Sequence, residues 1–314
     1  GIAFFFGALV QYLTRLFFTF DYRRRLTWKI GLFGGVATTA IIYFLLIKGV
    51  KDLAFMTPEN KAWLDAHTVV IMGGCLVGFT LLMQLLHWCK VNVFRVIVLL
   101  GTFSLAMAFA GNDLVNFIGV PLAGFSAYQD YAANGAGNPN DFLMGSLNAP
   151  AHTPLVFLVA AGVVMVYSLA TSKKAYNVVK TSVDLARQDV GDEMFGSSRV
   201  ARTLVRRFTA LSTWIVAATP APVRAWIGSR FNTDESIMEQ GAAFDLVRAS
   251  INLVLAGLLV ALGTSLKLPL STTYVTFMVA MGASLADRAW SRESAVFRVT
   301  GVLSVIGGWF ITAG

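Results

Sequence analysis

Residues 110–124, AGNDLVNFIGVPLAG, set Asn112, Asp113 and Asn116 beside Gly111 inside one of the most apolar stretches of the chain. An ionised carboxylate near a bilayer centre costs about 2.5–3.5 kcal/mol on insertion scales, so such a group faces a protein interior or a water-filled path. A second interrupted stretch, KLPLSTTYVTFMVAMG at 267–282, places Pro269 and the hydroxyls of Ser271, Thr272 and Thr273 at the mouth of another apolar segment. Together the two stretches read as a membrane site for a small anion and its coupling cation.

Composition fits a membrane setting. Of 314 residues, 56% are hydrophobic and 13% charged, about half the charged share of a soluble domain, and the mean hydropathy is +0.66. The 25 Lys and Arg outnumber the 17 Asp and Glu. Their clustering at the ends of apolar runs follows the positive-inside pattern, so no nucleic-acid partner is expected. Cys75 and Cys89 lie in and at the end of one apolar run, which suggests packing rather than a disulfide framework or a zinc site. No charged n-region precedes the hydrophobic start GIAFFFGALVQYL, so a signal peptide is not expected, and the chain reads as part of a longer protein.

Apolar runs of about 20 residues, the length that crosses roughly 30 Å of hydrocarbon, fall near 1–20, 29–48, 68–88, 96–126, 153–171, 246–265, 268–286 and 295–313. No period-2 barrel pattern appears, so the runs are expected to be helices. Segments 21–29, 90–95, 172–245 and 287–298 are basic, whereas 127–152 has no Lys or Arg. Placing the basic segments in the cytoplasm gives eight alternating spans with Gly1 outside. The 127–152 loop, rich in Gly, Asn and Pro, is expected to be irregular. The run 96–126 exceeds one straight crossing, and Gly111 followed by Asn-Asp predicts two half-helices meeting there.

Each interruption suggests a chemistry. Pro suits a first helical turn, and a helix N-terminus with hydroxyls and free amides is an anion site without a buried cation. Asp113 and Asn116 are three residues apart, Asn112 and Asn116 four, so all three share a face. Their oxygens are hard ligands of the kind Na⁺ uses in discontinuous transporter helices; Asp113 could instead carry a proton. Purely structural roles exist for both sets: Ser and Thr as caps of a kinked helix, and Asp113 as the cap of its own helix. Among other polar residues, Arg15 is expected to snorkel from the end of its run, and Asp245 and Arg248 to anchor a span at the interface. Gln84 and Asn252 suit either a polar path or bonds to neighbouring helices. His67, His87 and His152 are too scattered for a metal site or a triad. Within 172–245, the Arg- and Trp-bearing stretch 199–231 suits an amphipathic helix on the membrane surface, although a solvated linker is the plainer reading.

These residues resemble the motifs of the inorganic phosphate transporter (PiT) family. The family pattern Gly-Ala-Asn-Asp-x-x-Asn is similar to Ala110-Gly111-Asn112-Asp113-Leu114-Val115-Asn116, with the first two residues exchanged, and its Pro-x-Ser-Thr-Thr/Ser-His pattern is similar to Pro269-Leu270-Ser271-Thr272-Thr273-Tyr274, with Tyr in place of His. The resemblance covers roughly 90–314 and includes the hydrophilic insertion between the motifs. It implies an all-α polytopic membrane protein in which this chain is one half of an inverted-repeat transporter, with two of about eight transmembrane segments broken. Residues 1–95 would join the two halves, 96–171 and 246–314 would form the repeat, and 172–245 would be a cytoplasmic linker. It implies symport of inorganic phosphate with Na⁺ or H⁺ across a cell membrane and no other cofactor. Asn112, Ser271, Thr272 and Thr273 would contact phosphate; Asn112, Asp113 and Asn116 would hold the coupling ion. The family carries each motif twice. A single copy of each is found here, Gly34 to Thr39 being a weak match for another, so the resemblance implies a partner N-terminal half upstream of Gly1. A homodimer is a further state to test. Rival functions are a sulfate permease, an anion channel and a membrane-embedded enzyme, the last lacking a clustered nucleophile and base.

Overall fold

Backbone amides and carbonyls in an apolar medium must find partners within their own segment, and among the described residues each long apolar run of the sequence holds a helix. The structure, a computed structural model, describes residues 1–20, 27–44, 57–135, 142–143, 145, 154–188, 196–232, 242–268, 270–290 and 294–313. Its helices are α1 (Ile2–Phe17), α2 (Thr27–Ile42), α3 (Pro58–Trp88), α4 (Val93–Asn134), α5 (Leu155–Thr171), α6 (Lys173–Leu185), α7 (Arg199–Ala218), α8 (Ala221–Arg230), α9 (Leu246–Ser265), α10 (Thr272–Ala286) and α11 (Ser294–Ala313). No strand occurs among the described residues.

Four helices, α3, α4, α9 and α11, are long and apolar enough to cross a bilayer, and a fifth span arises if α5 and α6, bent by 64° at their junction, count as one. Of the eight expected crossings, the remaining three fall on shorter apolar helices, α1, α2 and α10, of 16, 16 and 15 residues. Apolar side chains such as Val69, Val70, Val163 and Phe117 are exposed, and α5 buries none of its residues. Such broad apolar surface belongs against lipid.

The expected break at Gly111 is absent: α4 runs unbroken for 42 residues through Gly111 and past Pro121. A helical glycine costs about 1 kcal/mol relative to alanine, less than the several kcal/mol of unsatisfied backbone that a break would expose in lipid. The helix also continues to Asn134, so the first part of the expected irregular loop 127–152 is helical; most of the rest lies outside the described residues. The second interruption is present. Helix α9 ends in a Schellman motif, with Lys267 at φ 55°, its amide donating to Thr264 O at 2.9 Å and that of Leu268 to Gly263 O at 3.0 Å. Lysine is uncommon in this left-handed region, but its charge complements the helix C-terminus. Helix α10 starts afresh with Ser271 as N-cap, whose Oγ accepts from the Tyr274 amide at 3.3 Å. The reading of Pro269 as a first-turn residue lies outside the described residues.

Small residues set the register of the core. On α4, Gly101 faces Leu253 and Val254 of α9, while Gly257 of α9 faces Ser104 and Leu105. Ser250 Oγ lies 3.4 Å from Phe94 O. These pairs advance together, so α4 and α9 run parallel in close contact, as helices with small facing residues do. Helix α1 packs on α10 in the same way: a side chain at Gly7 would stand 2.5 Å from Val279 O, and one at Gly282 would meet the backbone of Phe4 and Ala8. Phe18, Phe33 and Phe94 form an aromatic triangle with centroids 5.3–5.7 Å apart, closing α1, α2 and α4 around one end of the core.

Candidate functional site

The α4–α9 register carries Asn112 to the far end of α9, where the chain turns into α10. Asn112, 6% exposed, donates from Nδ2 to Thr264 Oγ1 at 3.1 Å, and that hydroxyl donates in turn to Val260 O at 2.9 Å. One turn along α4, Asn116 Nδ2 donates to Asn112 Oδ1 at 3.1 Å, the shared face that the i, i+4 spacing anticipates. Thr272 Oγ1, in the first turn of α10, lies 3.1 and 3.3 Å from the two oxygens of Asp113. Residues 159 positions apart in sequence are thereby joined.

These contacts revise one reading of Asp113. Its carboxylate does not cap its own helix, because α4 has no terminus there; it accepts from the neighbouring α10 instead. Ser271 does take the capping role. Thr272 is buried, whereas Ser271 and Thr273 are exposed. The first amides of a helix have no intrahelical acceptor, so those of Thr272 and Thr273 point out of the α10 N-terminus beside these hydroxyls. The N-terminal donors of α10 thus lie beside the oxygens of Asp113, with Asn112 and Thr264 next to them on the α4–α9 side. Thr264 was not singled out from the sequence; its signal was a hydroxyl on an apolar helix just ahead of the Pro269 interruption. Thr264→Val should leave Asn112 Nδ2 without an acceptor in a buried setting and lower stability by about 1–3 kcal/mol, seen as a lower thermal midpoint in detergent. An unchanged midpoint would contradict the pairing.

At the opposite end of α9, about 27 Å away at 1.5 Å per residue, sits a charged cluster that the sequence reading misjudged. Arg15 does not snorkel and Asp245 and Arg248 are not interfacial anchors: Arg15, Asp245, Arg248 and Asp287 are 0%, 4%, 0% and 0% exposed. Arg15 donates from Nη1 and Nη2 to the two Asp245 oxygens at 2.8 and 2.7 Å. It also donates from Nε and Nη2 to the Asp287 oxygens, both at 2.8 Å. Gln11 Nε2 donates to Asp287 Oδ1 at 2.8 Å, and the Arg15 guanidinium lies 3.9 Å from the Phe20 ring centroid. Arg248 Nε stands 3.5 Å from Asp287 Oδ2, and its guanidinium lies 4.8 Å from the Phe244 ring centroid; its two Nη atoms have no hydrogen-bond partner among the described residues. Asp245 also caps α9 by accepting from the Arg248 amide at 3.2 Å. The snorkelling expectation failed because the two carboxylates that hold Arg15 arrive from residues more than 200 positions downstream. Asn252, weighed as part of a polar path or as a bond to a neighbouring helix, is buried, and neither of its side-chain polar atoms is bonded among the described residues.

Among the described residues, no group of three or more His, Cys, Asp or Glu is placed to hold a metal ion. No family model matches this chain, and no curated protein or solved structure compared with it matches either. The fold and site define a helical membrane protein with a polar junction between apolar helices.

Proposed function

We propose that the chain is part of a secondary transporter that moves inorganic phosphate by symport with Na⁺ or H⁺. The observation that carries this reading is the Asp113–Thr272 bond, which unites the two motif stretches whose residues resemble those of phosphate transporters. The α10 N-terminus offers free amides, a positive helix end and the exposed hydroxyls of Ser271 and Thr273, the donor set a tetrahedral oxyanion needs. Thr272 borders both sites, so an anion bound there meets the negative charge of Asp113. Like charges a few Å apart repel by about 3–4 kcal/mol at an effective dielectric near 20. Na⁺ held by Asp113, Asn112 and their neighbours, or a proton on Asp113, removes that repulsion, which makes co-entry of cation and anion favourable. Asn116 holds Asn112 in register for this role. Alternating access would come from rocking against a second, inverted half.

Radiolabelled phosphate uptake into proteoliposomes, by the chain and by any longer native form of it, tests this proposal. Uptake should depend on an imposed Na⁺ or H⁺ gradient and resist excess sulfate. Strong competition by sulfate would move the assignment to a sulfate permease. Steady conductance without dependence on a gradient of coupling ion would make it a channel.

A further inference from the structure

Residues 196–232, which hold α7 and α8, contain six arginines and no Lys, Asp or Glu. On α7, Val200, Leu204, Phe208 and Leu211 follow one another at helical spacing and remain exposed, between 37% and 66%. Arg207 and Arg199 flank the stripe, Arg202 and Arg206 lie on the opposite face, and Trp214 and Trp226 are also exposed. A solvated linker has no use for such a stripe. Its placement matters as much as its pattern. Helix α7 is tied to the first two turns of α11: the Ser198 amide donates to Thr300 Oγ1 at 3.2 Å, and Arg202, Arg206, Thr209 and Thr213 line a cleft of about 430 Å³ against Val296. Those turns are where apolar α11 begins its crossing, so α7 stands at headgroup depth.

We infer that α7 is an in-plane anchor that docks on an anionic phospholipid surface, its apolar stripe in the acyl boundary and the arginines flanking that stripe, Arg207 and Arg199, on the headgroup phosphates. The charge of the stretch is complementary to acidic lipid. Amphipathic helices bind bilayers through buried apolar area plus electrostatic attraction, and each basic residue near an anionic surface contributes about fivefold in partitioning.

The full chain, carrying Leu211→Cys with Cys75→Ser and Cys89→Ser and labelled with an environment-sensitive fluorophore, tests this in nanodiscs. Discs containing phosphatidylglycerol should give blue-shifted emission, and discs of phosphatidylcholine alone should give the emission of a water-exposed label. About 1 M salt, where the Debye length is about 3 Å, should reverse the shift. Arg199→Gln with Arg207→Gln should lower the bound-to-free ratio by roughly thirtyfold, the product of two contributions of about fivefold each. Equal emission in the two kinds of disc overturns the inference. A label wet in both would mean a helix held off the bilayer; one dry in both would mean a helix held by its apolar stripe alone.

Discussion

Arg15→Ala is expected to destabilise the folded chain by about 3–5 kcal/mol, the usual cost of removing one partner from a buried ion pair. The magnitude follows from what the substitution leaves behind. Arg15 donates to both Asp245 and Asp287, so its loss strands two buried carboxylates at once. Gln11 and Arg248 remain near Asp287, whereas Asp245 keeps the Arg248 amide but loses its guanidinium partner. A typical domain is stable by about 5–15 kcal/mol, so a large fraction of the total is at stake. Chemical unfolding in detergent micelles measures it. Replacing the charges together, Arg15→Gln and Arg248→Gln with Asp245→Asn and Asp287→Asn, should recover much of the loss, because none of the four cluster residues then carries a buried charge. A loss below about 1 kcal/mol for Arg15→Ala would mean that the cluster is solvated and worth no more than a surface pair.

Much of the fold was legible in the sequence because lipid leaves a chain few choices. Apolar runs of sufficient length become helices, and the positions of α5, α9 and α11 follow their runs closely. What local pattern could not reveal were contacts across the chain. Gly111 and Asn112 look like a helix break when read alone, yet α4 passes through them because Asn112 and Asp113 find partners on α9 and α10 rather than on their own backbone. Arg15 looks like an interfacial residue until Asp245 and Asp287 are placed against it. The stretch 172–245 shows a mixed outcome. The end of α6 docks on α10 and α11, with Leu185 and Ala186 buried and Arg298 Nη1 donating to Arg187 O at 2.8 Å, while α7 keeps the amphipathic, exposed character its sequence suggests. Of the candidate site residues, Asn112, Asp113, Asn116 and Thr272 come together, and Ser271 and Thr273 lie at the adjoining helix mouth.

Asp113→Asn is expected to reduce gradient-driven phosphate uptake by about ten- to a hundredfold while leaving the fold intact. Asparagine keeps an oxygen that can accept from Thr272 Oγ1, so the α4–α10 contact survives. What disappears is the negative charge. Interactions to charged groups are worth about 1.5–3 kcal/mol, and each 1.4 kcal/mol is tenfold in affinity, which sets the expected range. The loss should appear chiefly as weaker dependence on the coupling ion, because the anion donors on α10 are untouched. A variant that transports like the parent would remove Asp113 from the ion path and leave it a structural link between helices.

The most direct measurement of the α4–α10 junction as the transport site is a double-mutant cycle on phosphate uptake, with Asp113→Asn, Thr272→Val and the pair. If the two side chains hold one coupled ion-and-anion site, each single variant loses uptake and the double variant is little worse than Asp113→Asn alone. Losses that multiply independently, or no loss in either single variant with protein shown to be folded, would contradict a shared site.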